Sequence, residues 1–182
     1  NDINHSLKSR QIDISWPIPP QHFLWRSKPA SYVAHLLGHE GEGSVLHVLK
    51  KKGWAQTLVA GVSEEGTDYS FFVVSIGLTV KGLEHTSEVI KIIFEYIDLL
   101  NQEQGIQQWV YEEEKKLKEI TFKFLDQLQP ADYTSLLSGW MQCYPEEHIL
   151  SGTILFTSNS HKQAPTYFMN IVLILSRMSL IL

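Results

Sequence analysis

Three glycines fall within six residues of this chain, at Gly38, Gly41 and Gly43, between two stretches of helical periodicity. Glycine loses more backbone entropy on ordering than any other residue, so such a cluster is costly inside a helix or strand. Glycines in this arrangement favour a tight turn, or a place where another molecule comes close to the backbone. We therefore predict that one helix ends at Gly38 and that another begins after Ser44, a typical N-cap residue.

The segments on either side of this bend have the patterns of two short helices and a strand. Pro29 is tolerated in the first turn of the first helix, whose apolar side chains recur at helical spacing up to Leu37. The second helix ends with three lysines and Gly53, a typical helix-ending residue. Residues 54–61 then predict a strand.

Two further strands are predicted. Residues 11–16 alternate polar and apolar side chains, which is the period of a half-buried strand. Residues 69–80 predict the second strand of a hairpin, after a polar turn at residues 63–68. Because residues 71–74 are continuously apolar, we expect this strand to be covered on both faces.

A layer of helices is predicted after the hairpin. The first helix is broken at Gly105, the second begins near residue 107 and the third begins at Pro130. In the second, charged residues 112–116 should face solvent. Its apolar side chains should face inward: Trp109, Val110, Leu117, Ile120, Phe124 and Leu128. The order of elements predicts an α+β fold, with an antiparallel-rich mixed sheet covered by a layer of helices.

Composition narrows the class of protein. A chain of 182 residues has the size of one domain, and its net charge of −5 argues against a nucleic-acid partner. Cys143 is the only cysteine, so no internal disulfide is possible. We predict that it is a buried, inert thiol and that the protein works in a reducing, cytoplasmic compartment.

The two ends differ in character from the middle. Residues 1–9 are polar and expected to be disordered, residues 10–152 are expected to form the domain, and residues 153–182 form an atypical tail. The apolar residues 168–182 are too few for a bilayer span, which takes about 20 residues, so no transmembrane span is predicted. A buried helix or strand, a membrane-surface segment and non-native sequence at a truncated end remain alternatives for this tail.

His35 and His39 lie four residues apart, beside Glu40, and resemble half of a zinc-peptidase motif. Such motifs read His-Glu-x-x-His or His-x-x-Glu-His, so that the glutamate can act on a metal-bound water. Here Glu40 comes one residue too late, and one residue turns a helical side chain by about 100°. We therefore predict no metal site and no catalytic residue in this chain.

Residues 34–44, followed by Lys52-Gly53-Trp54-Ala55, resemble the second domain of insulysin-type peptidases. These form the insulin-degrading enzyme and nardilysin branch of the pitrilysin family of zinc metallopeptidases. Supporting matches extend over residues 10–152, at residues 12–19, 78–83, 108–113, 122–124, 130–133 and 144–147. The tail departs from the family pattern, so the resemblance implies a pitrilysin-type fold that is incomplete at the C-terminus.

The resemblance implies a non-catalytic role for this chain. In that family, four related α+β domains are paired around a chamber, and zinc with its catalytic glutamate belongs to the first domain. The expected partners are therefore a peptide substrate and the other domains of a parent peptidase. Zinc is expected only in the first domain of the full-length enzyme.

In the family, the second domain holds the N-terminal end of the substrate at an exosite. Carried over to this sequence, that site falls on Gly38, Glu40, Leu58, Val59, Ala60 and Gly61, with His39 beside them. A strand edge can bind an extended peptide by main-chain hydrogen bonds, and Glu40 can pair with its amino group. His39 either contacts the same amino group or stabilises the turn. The family often has glycine where Ala60 stands.

Two other functions remain open. The chain could be a truncated, inactive structural or interaction fragment of such a peptidase. It could also be a stand-alone metalloenzyme that uses His35, His39 and a distant carboxylate. Zinc content and peptide binding distinguish these alternatives from a peptide-gripping domain.

Overall fold

The computed structural model describes residues 10–66, 68–102, 108–157 and 164–177. Three strands form one antiparallel sheet in the order β1-β3-β2, with β1 at Gln11–Ile18, β2 at Ala55–Glu65 and β3 at Ser70–Leu78. The α+β fold class predicted from the sequence is confirmed. The disordered lead predicted at residues 1–9 and the helix break predicted at Gly105 lie outside the described residues.

Seven helices are described, together with two single 3₁₀ turns at His22–Leu24 and Glu146–His148. They are α1 (Pro29–Leu37), α2 (Val45–Lys52), α3 (Val80–Leu83), α4 (Thr86–Gln102), α5 (Gln108–Lys123), α6 (Pro130–Cys143) and α7 (Ala164–Arg177). None of the helices in the described parts of the chain is long and apolar enough to cross a bilayer.

The hydrophobic core lies between one face of the sheet and helices α1, α2, α4 and α7. Trp16 is fully buried, and its ring lies 5.9 Å from the ring of Phe94 in an edge-to-face arrangement. Such aromatic pairs contribute about 0.5–1.5 kcal/mol beyond the area that they bury. The pair therefore joins the edge strand β1 to helix α4.

Strand β3 is fully buried on one face only, so the prediction of cover on both faces is wrong. Its residues alternate between buried and half-buried along the whole strand. On the less covered face, the ring of Phe71 packs against that of Tyr69 at 5.5 Å, and Val59 of the neighbouring strand is 67% exposed. The continuously apolar residues 71–74 belong to the central strand of the sheet, which β1 and β2 flank. Such a central strand can be apolar in sequence without a second layer covering its other face.

Helix α5 presents a different face to the core than its periodicity predicts. Only Val110 of the predicted inner face is buried, next to Tyr111, and Glu114 of the charged run is just 3% exposed. The remaining five predicted inner residues are exposed: Trp109, Leu117, Ile120, Phe124 and Leu128. The prediction is wrong because the buried residues of α5 all lie in its first two turns, where Glu114 meets Ser31 of α1, and no described element buries the apolar side chains further along.

Helix α6 also lies at the surface, since none of its residues is buried. Cys143, at its end, is exposed, so the prediction of a buried thiol is wrong. The apolar residues around Cys143 in the sequence belong to this exposed helix, and an apolar neighbourhood in sequence does not by itself produce burial.

Helix α7 packs into the core against α1 and α4. Its apolar residues Phe168, Ile171, Val172 and Leu175 are buried, and the ring of Phe168 meets that of Tyr32 at 5.2 Å. Of the alternatives left open for the apolar tail, the structure has a buried helix up to Arg177. Residues 178–182 lie outside the described residues.

Candidate functional site

The bend begins where the end of helix α1 meets strand β2. The Gly38 N–H donates to the Ala34 carbonyl at 2.8 Å and closes the last turn of the helix. A Cβ at Gly38 would lie 2.9 Å from that carbonyl oxygen and 4.0 Å from the backbone nitrogen of Ala60. The structure therefore brings two predicted site residues, Gly38 and Ala60, close together. There is room for little more than a hydrogen atom as the side chain of residue 38.

The rest of the bend is held by local hydrogen bonds. The Gly41 N–H donates to Nδ1 of His39 at 2.9 Å, so His39 stabilises the turn as one of its two predicted roles requires. Gly43 has a φ of +85°, a left-handed conformation that glycine adopts without strain. Ser44 caps α2, because its Oγ accepts a hydrogen bond from the His47 N–H at 3.2 Å.

Glu40 lies at the solvent-facing tip of the bend. Its side chain is 68% exposed and its carboxylate accepts a hydrogen bond from Lys50 Nζ of α2 at 2.9 Å. Ion pairs this exposed contribute between 0 and about 1 kcal/mol. The carboxylate can therefore exchange Lys50 for another ammonium group at little cost.

Residues 58–61 lie on an edge of the sheet. Strand β3 pairs with one side of β2, and within the described ranges no other strand or backbone hydrogen bond joins this segment from the other side. Leu58 points into the core, Val59 is exposed, and a Cβ at Gly61 would meet nothing within 4 Å. An edge of this kind presents free N–H and C=O groups to a further strand.

A cavity of about 200 Å³ lies beside the bend, between α1, α4, α5 and α7. Its lining consists of Tyr32, His35, Leu36, His39, Tyr96, Leu99, Leu100, Trp109, Val110, Glu113 and Phe168. The rings of His35 and His39 are 6.3 Å apart, and the Tyr96 hydroxyl donates to the Leu36 carbonyl at 3.4 Å. Sequence reasoning missed this cavity, because its walls come from four helices that are distant in the chain.

A buried carboxylate lies on the inner side of α5, also missed by sequence reasoning. Glu114 Oε1 accepts a hydrogen bond from the Ser31 hydroxyl at 2.6 Å, and its Oε2 has no hydrogen-bond partner among the described residues. Burial raises the pKa of Glu114, although the Ser31 hydrogen bond and the positive charges of Lys118, His35 and Lys28 oppose the shift.

The two bend histidines do not build a metal centre. Within the described ranges, no three histidine, cysteine, aspartate or glutamate side chains are grouped so that they could hold a metal ion. His35 and His39 line the cavity together with Glu113.

The sequence matches the family model described as peptidase M16 inactive domain over residues 3–118. It is 42% identical over 131 residues to insulin-degrading enzyme of Homo sapiens, a match over 72% of this chain and 13% of that protein. It is 41% identical over 150 residues to insulin-degrading enzyme-like 1, peroxisomal, of Arabidopsis thaliana, covering 82% of this chain and 15% of that protein. Nardilysin of Homo sapiens is 39% identical over 149 residues. The chain thus spans about one seventh of the length of these curated relatives.

Among solved structures, the fold is similar to that of pitrilysin, with a TM-score of 0.80 at 23% identity. That match covers 90% of this chain and 17% of the pitrilysin chain. A peptidase M16 inactive domain from Pseudomonas fluorescens matches with a TM-score of 0.56 at 15% identity, over 88% of this chain and 38% of that one. At these identities the likeness concerns the fold alone.

Proposed function

The chain belongs to the peptidase M16 inactive domain family, and we propose that it is the non-catalytic, substrate-binding domain of an insulysin-like zinc metalloendopeptidase. Its task in this proposal is to hold the N-terminal end of an extended peptide while cleavage occurs elsewhere. The observation that carries the proposal is the edge of β2 at residues 58–61, which no described strand pairs, next to the glycine bend.

The edge supports binding by strand addition. A peptide that pairs with β2 would form main-chain hydrogen bonds, which recognise an extended backbone with little demand on side chains. Ala60 and Gly61 carry small side chains or none, and the space beside Gly61 is open, so a second backbone can approach. Val59 projects from the exposed face and gives the added strand an apolar neighbour.

Glu40 supports recognition of a free amino group. Its present partner is the ammonium group of Lys50, at 2.9 Å, so the carboxylate already lies in a place where a cation is held. A peptide ammonium would replace one charge-assisted hydrogen bond with another of the same kind. Discrimination in this proposal rests on the bend, where Gly38, two residues before Glu40, lies beside Ala60 of β2.

In this proposal, His39 stabilises the bend and does not bind the amino group of the peptide. Because Nδ1 accepts from the Gly41 N–H, the neutral ring carries its proton on Nε2. An Nε2–H donates hydrogen bonds, so it can bind a peptide carbonyl but cannot accept from an ammonium group. Glu40 is therefore the amine ligand.

Catalysis is assigned to a different domain of the same polypeptide. This chain would supply neither zinc ligands nor a general base, and a zinc-bearing first domain of a full-length enzyme would supply both. The other domains of that enzyme are its proposed partners.

A titration with a fluorescent peptide tests the proposal. The peptide is labelled at its C-terminus and prepared with a free or an acetylated N-terminus. We expect acetylation and the substitution Glu40→Gln each to weaken binding by up to about fivefold, because an ion pair this exposed contributes at most about 1 kcal/mol. Glu42→Gln is the matched control, since Glu42 is an exposed carboxylate of the same bend. Equal affinity for the free and the acetylated peptide would contradict the proposal.

A second candidate function, an interaction fragment without peptide binding, is favoured by the apolar surface of α5 and α6. Leu125, Leu128, Tyr133 and Leu136 are exposed and line one open cavity of about 830 Å³. Concentration-dependent self-association in sedimentation, combined with no peptide binding, would support this function over the first.

A further inference from the structure

We infer that the cavity beside the bend is a side-chain pocket for the first residue of the bound peptide, and that it prefers an aromatic side chain. This inference rests on the proposed function, because it assumes that the peptide's amino group lies at Glu40. It adds a specificity determinant to a site that otherwise recognises only backbone and charge.

The walls of the cavity have the chemistry of an aromatic pocket. Its floor consists of buried apolar side chains from three helices, Leu100, Val110 and Phe168. Its rim includes Leu99, which is 50% exposed, and Trp109, which is 68% exposed. Large apolar side chains exposed around an apolar hollow lose their contact with water when a ring enters, which favours binding.

The volume suits one ring. An apolar protein cavity of about 150 Å³ accepts a benzene molecule, and this cavity holds about 200 Å³. A benzyl or phenol group therefore fits, whereas a drug-sized ligand needs a pocket of at least about 300 Å³. Glu113 lies on the same wall and repels an acidic side chain, so the preference is for an uncharged ring.

The position of the cavity identifies which residue of the peptide can enter it. His39 lines the cavity, and Glu40 is the next residue, with consecutive Cα atoms about 3.8 Å apart. In this inference, a peptide whose ammonium group is bound by Glu40 directs the side chain of its first residue toward the cavity that His39 lines. The third residue, about 7 Å further along an extended chain, is beyond reach.

The test uses the whole chain and a set of peptides labelled at the C-terminus. One peptide begins with phenylalanine, a second begins with alanine, and a third begins with alanine and has phenylalanine as its third residue. The first two are also prepared in acetylated form. We expect the phenylalanine-first peptide to bind about tenfold more tightly than the alanine-first peptide, as burial of one aromatic ring implies. Phenylalanine as the third residue should give no such gain.

Leu99→Ala is the test variant, because Leu99 forms part of the rim and is half-exposed, so the fold should tolerate the change. Leu83→Ala is the control, with a matched exposure of 48% on a different helix. The preference for a first phenylalanine should fall to about twofold in Leu99→Ala and stay unchanged in Leu83→Ala. Circular dichroism of both variants verifies that they are folded.

The outcomes separate the two proposals. Suppose that the alanine-first peptide binds and that acetylation weakens its binding, but that a first phenylalanine gives no gain in affinity. The pocket inference then fails, and the proposal that the site binds the peptide's amino group is retained. If a first phenylalanine gives its gain but acetylation weakens neither peptide, the ring binds without the amine and both proposals fail. A preference for a first phenylalanine that survives Leu99→Ala also overturns the pocket.

Discussion

Glu114→Gln should stabilise the folded chain at neutral pH, although it removes a charged hydrogen-bond acceptor. The carboxylate is almost fully buried, and one of its oxygens has no partner among the described residues. Leaving a buried polar group unsatisfied costs about 1–3 kcal/mol, and more when the group is charged. The Ser31 hydrogen bond to the other oxygen returns about 1.5 kcal/mol, and a glutamine carbonyl keeps part of it. The glutamine NH2 group is left unpaired in place of Oε2, so the expected gain comes from removing the buried charge.

The net gain expected at about pH 7.5 is about 1 kcal/mol in the free energy of unfolding. With a urea m-value of about 2 kcal/mol/M, it moves the unfolding midpoint upward by roughly 0.5 M. Urea unfolding of both proteins, followed by circular dichroism, measures this shift directly.

The stability gain from Glu114→Gln must also increase as pH rises. Burial raises the pKa of folded Glu114 above its ordinary value of 4.5, so the folded state binds more protons than the unfolded state between the two values. The contribution of this group to stability is therefore fully present below about 4.5 and is lost as pH rises through the raised pKa. The advantage of Glu114→Gln should be small at about pH 4 and reach its maximum at about pH 7.5.

Glu113→Gln is the matched control, since Glu113 is the exposed neighbour on the same helix. Its stability difference from the natural sequence should stay within about 0.5 kcal/mol at both pH values. If Glu114→Gln were the less stable protein at about pH 7.5, the charges of Lys28, His35 and Lys118 would outweigh burial, and the reasoning would be refuted.

The remaining predictions concern packing. Leu175→Ala should lower the free energy of unfolding by about 2–5 kcal/mol, because it leaves a cavity at a buried position of α7. Leu173→Ala, at an exposed position of the same helix, should lower it by less than about 0.5 kcal/mol. Equal urea midpoints for the two variants would show that α7 does not belong to the core. Gly82→Ala should lower the thermal midpoint strongly, because its Cβ would overlap the Trp54 carbonyl. Gly139→Ala, with nothing within 4 Å of the new methyl group in α6, should stabilise by up to about 1 kcal/mol, and a loss there would contradict this reasoning.

Local signals in the sequence predicted the bend and its flanking elements well. Ser44 caps α2 as expected, and Gly53 ends it with a φ of +73°. Both depend on interactions within four or five residues, which the sequence specifies without reference to the rest of the fold. The hairpin of β2 and β3 was predicted for the same reason, although β2 continues to Glu65, beyond the start of the predicted polar turn.

The face of α5 could not be predicted in this way. Apolar periodicity locates a stripe at Leu117, Ile120 and Phe124, but burial needs a second element to cover it, and the sequence does not say which elements meet. Glu114 is buried because Ser31, 83 residues earlier, faces it from α1. The cavity depends in the same way on long-range packing. Six of the seven predicted site residues came from the family resemblance, and His39 was added as their neighbour in the bend.

Hydrogen exchange of the chain with and without a free-amine peptide, at a concentration near the Kd of that peptide, tests the central claim most directly. Strand addition predicts slower exchange of backbone amides at residues 58–61, because N–H groups at the open edge gain partners. The acetylated peptide at the same concentration should protect them far less, and Glu40→Gln should reduce the protection by the free peptide. Protection confined to other segments, or equal protection by both peptides, would contradict the claim that this edge and the bend beside it hold the amino end of an extended chain.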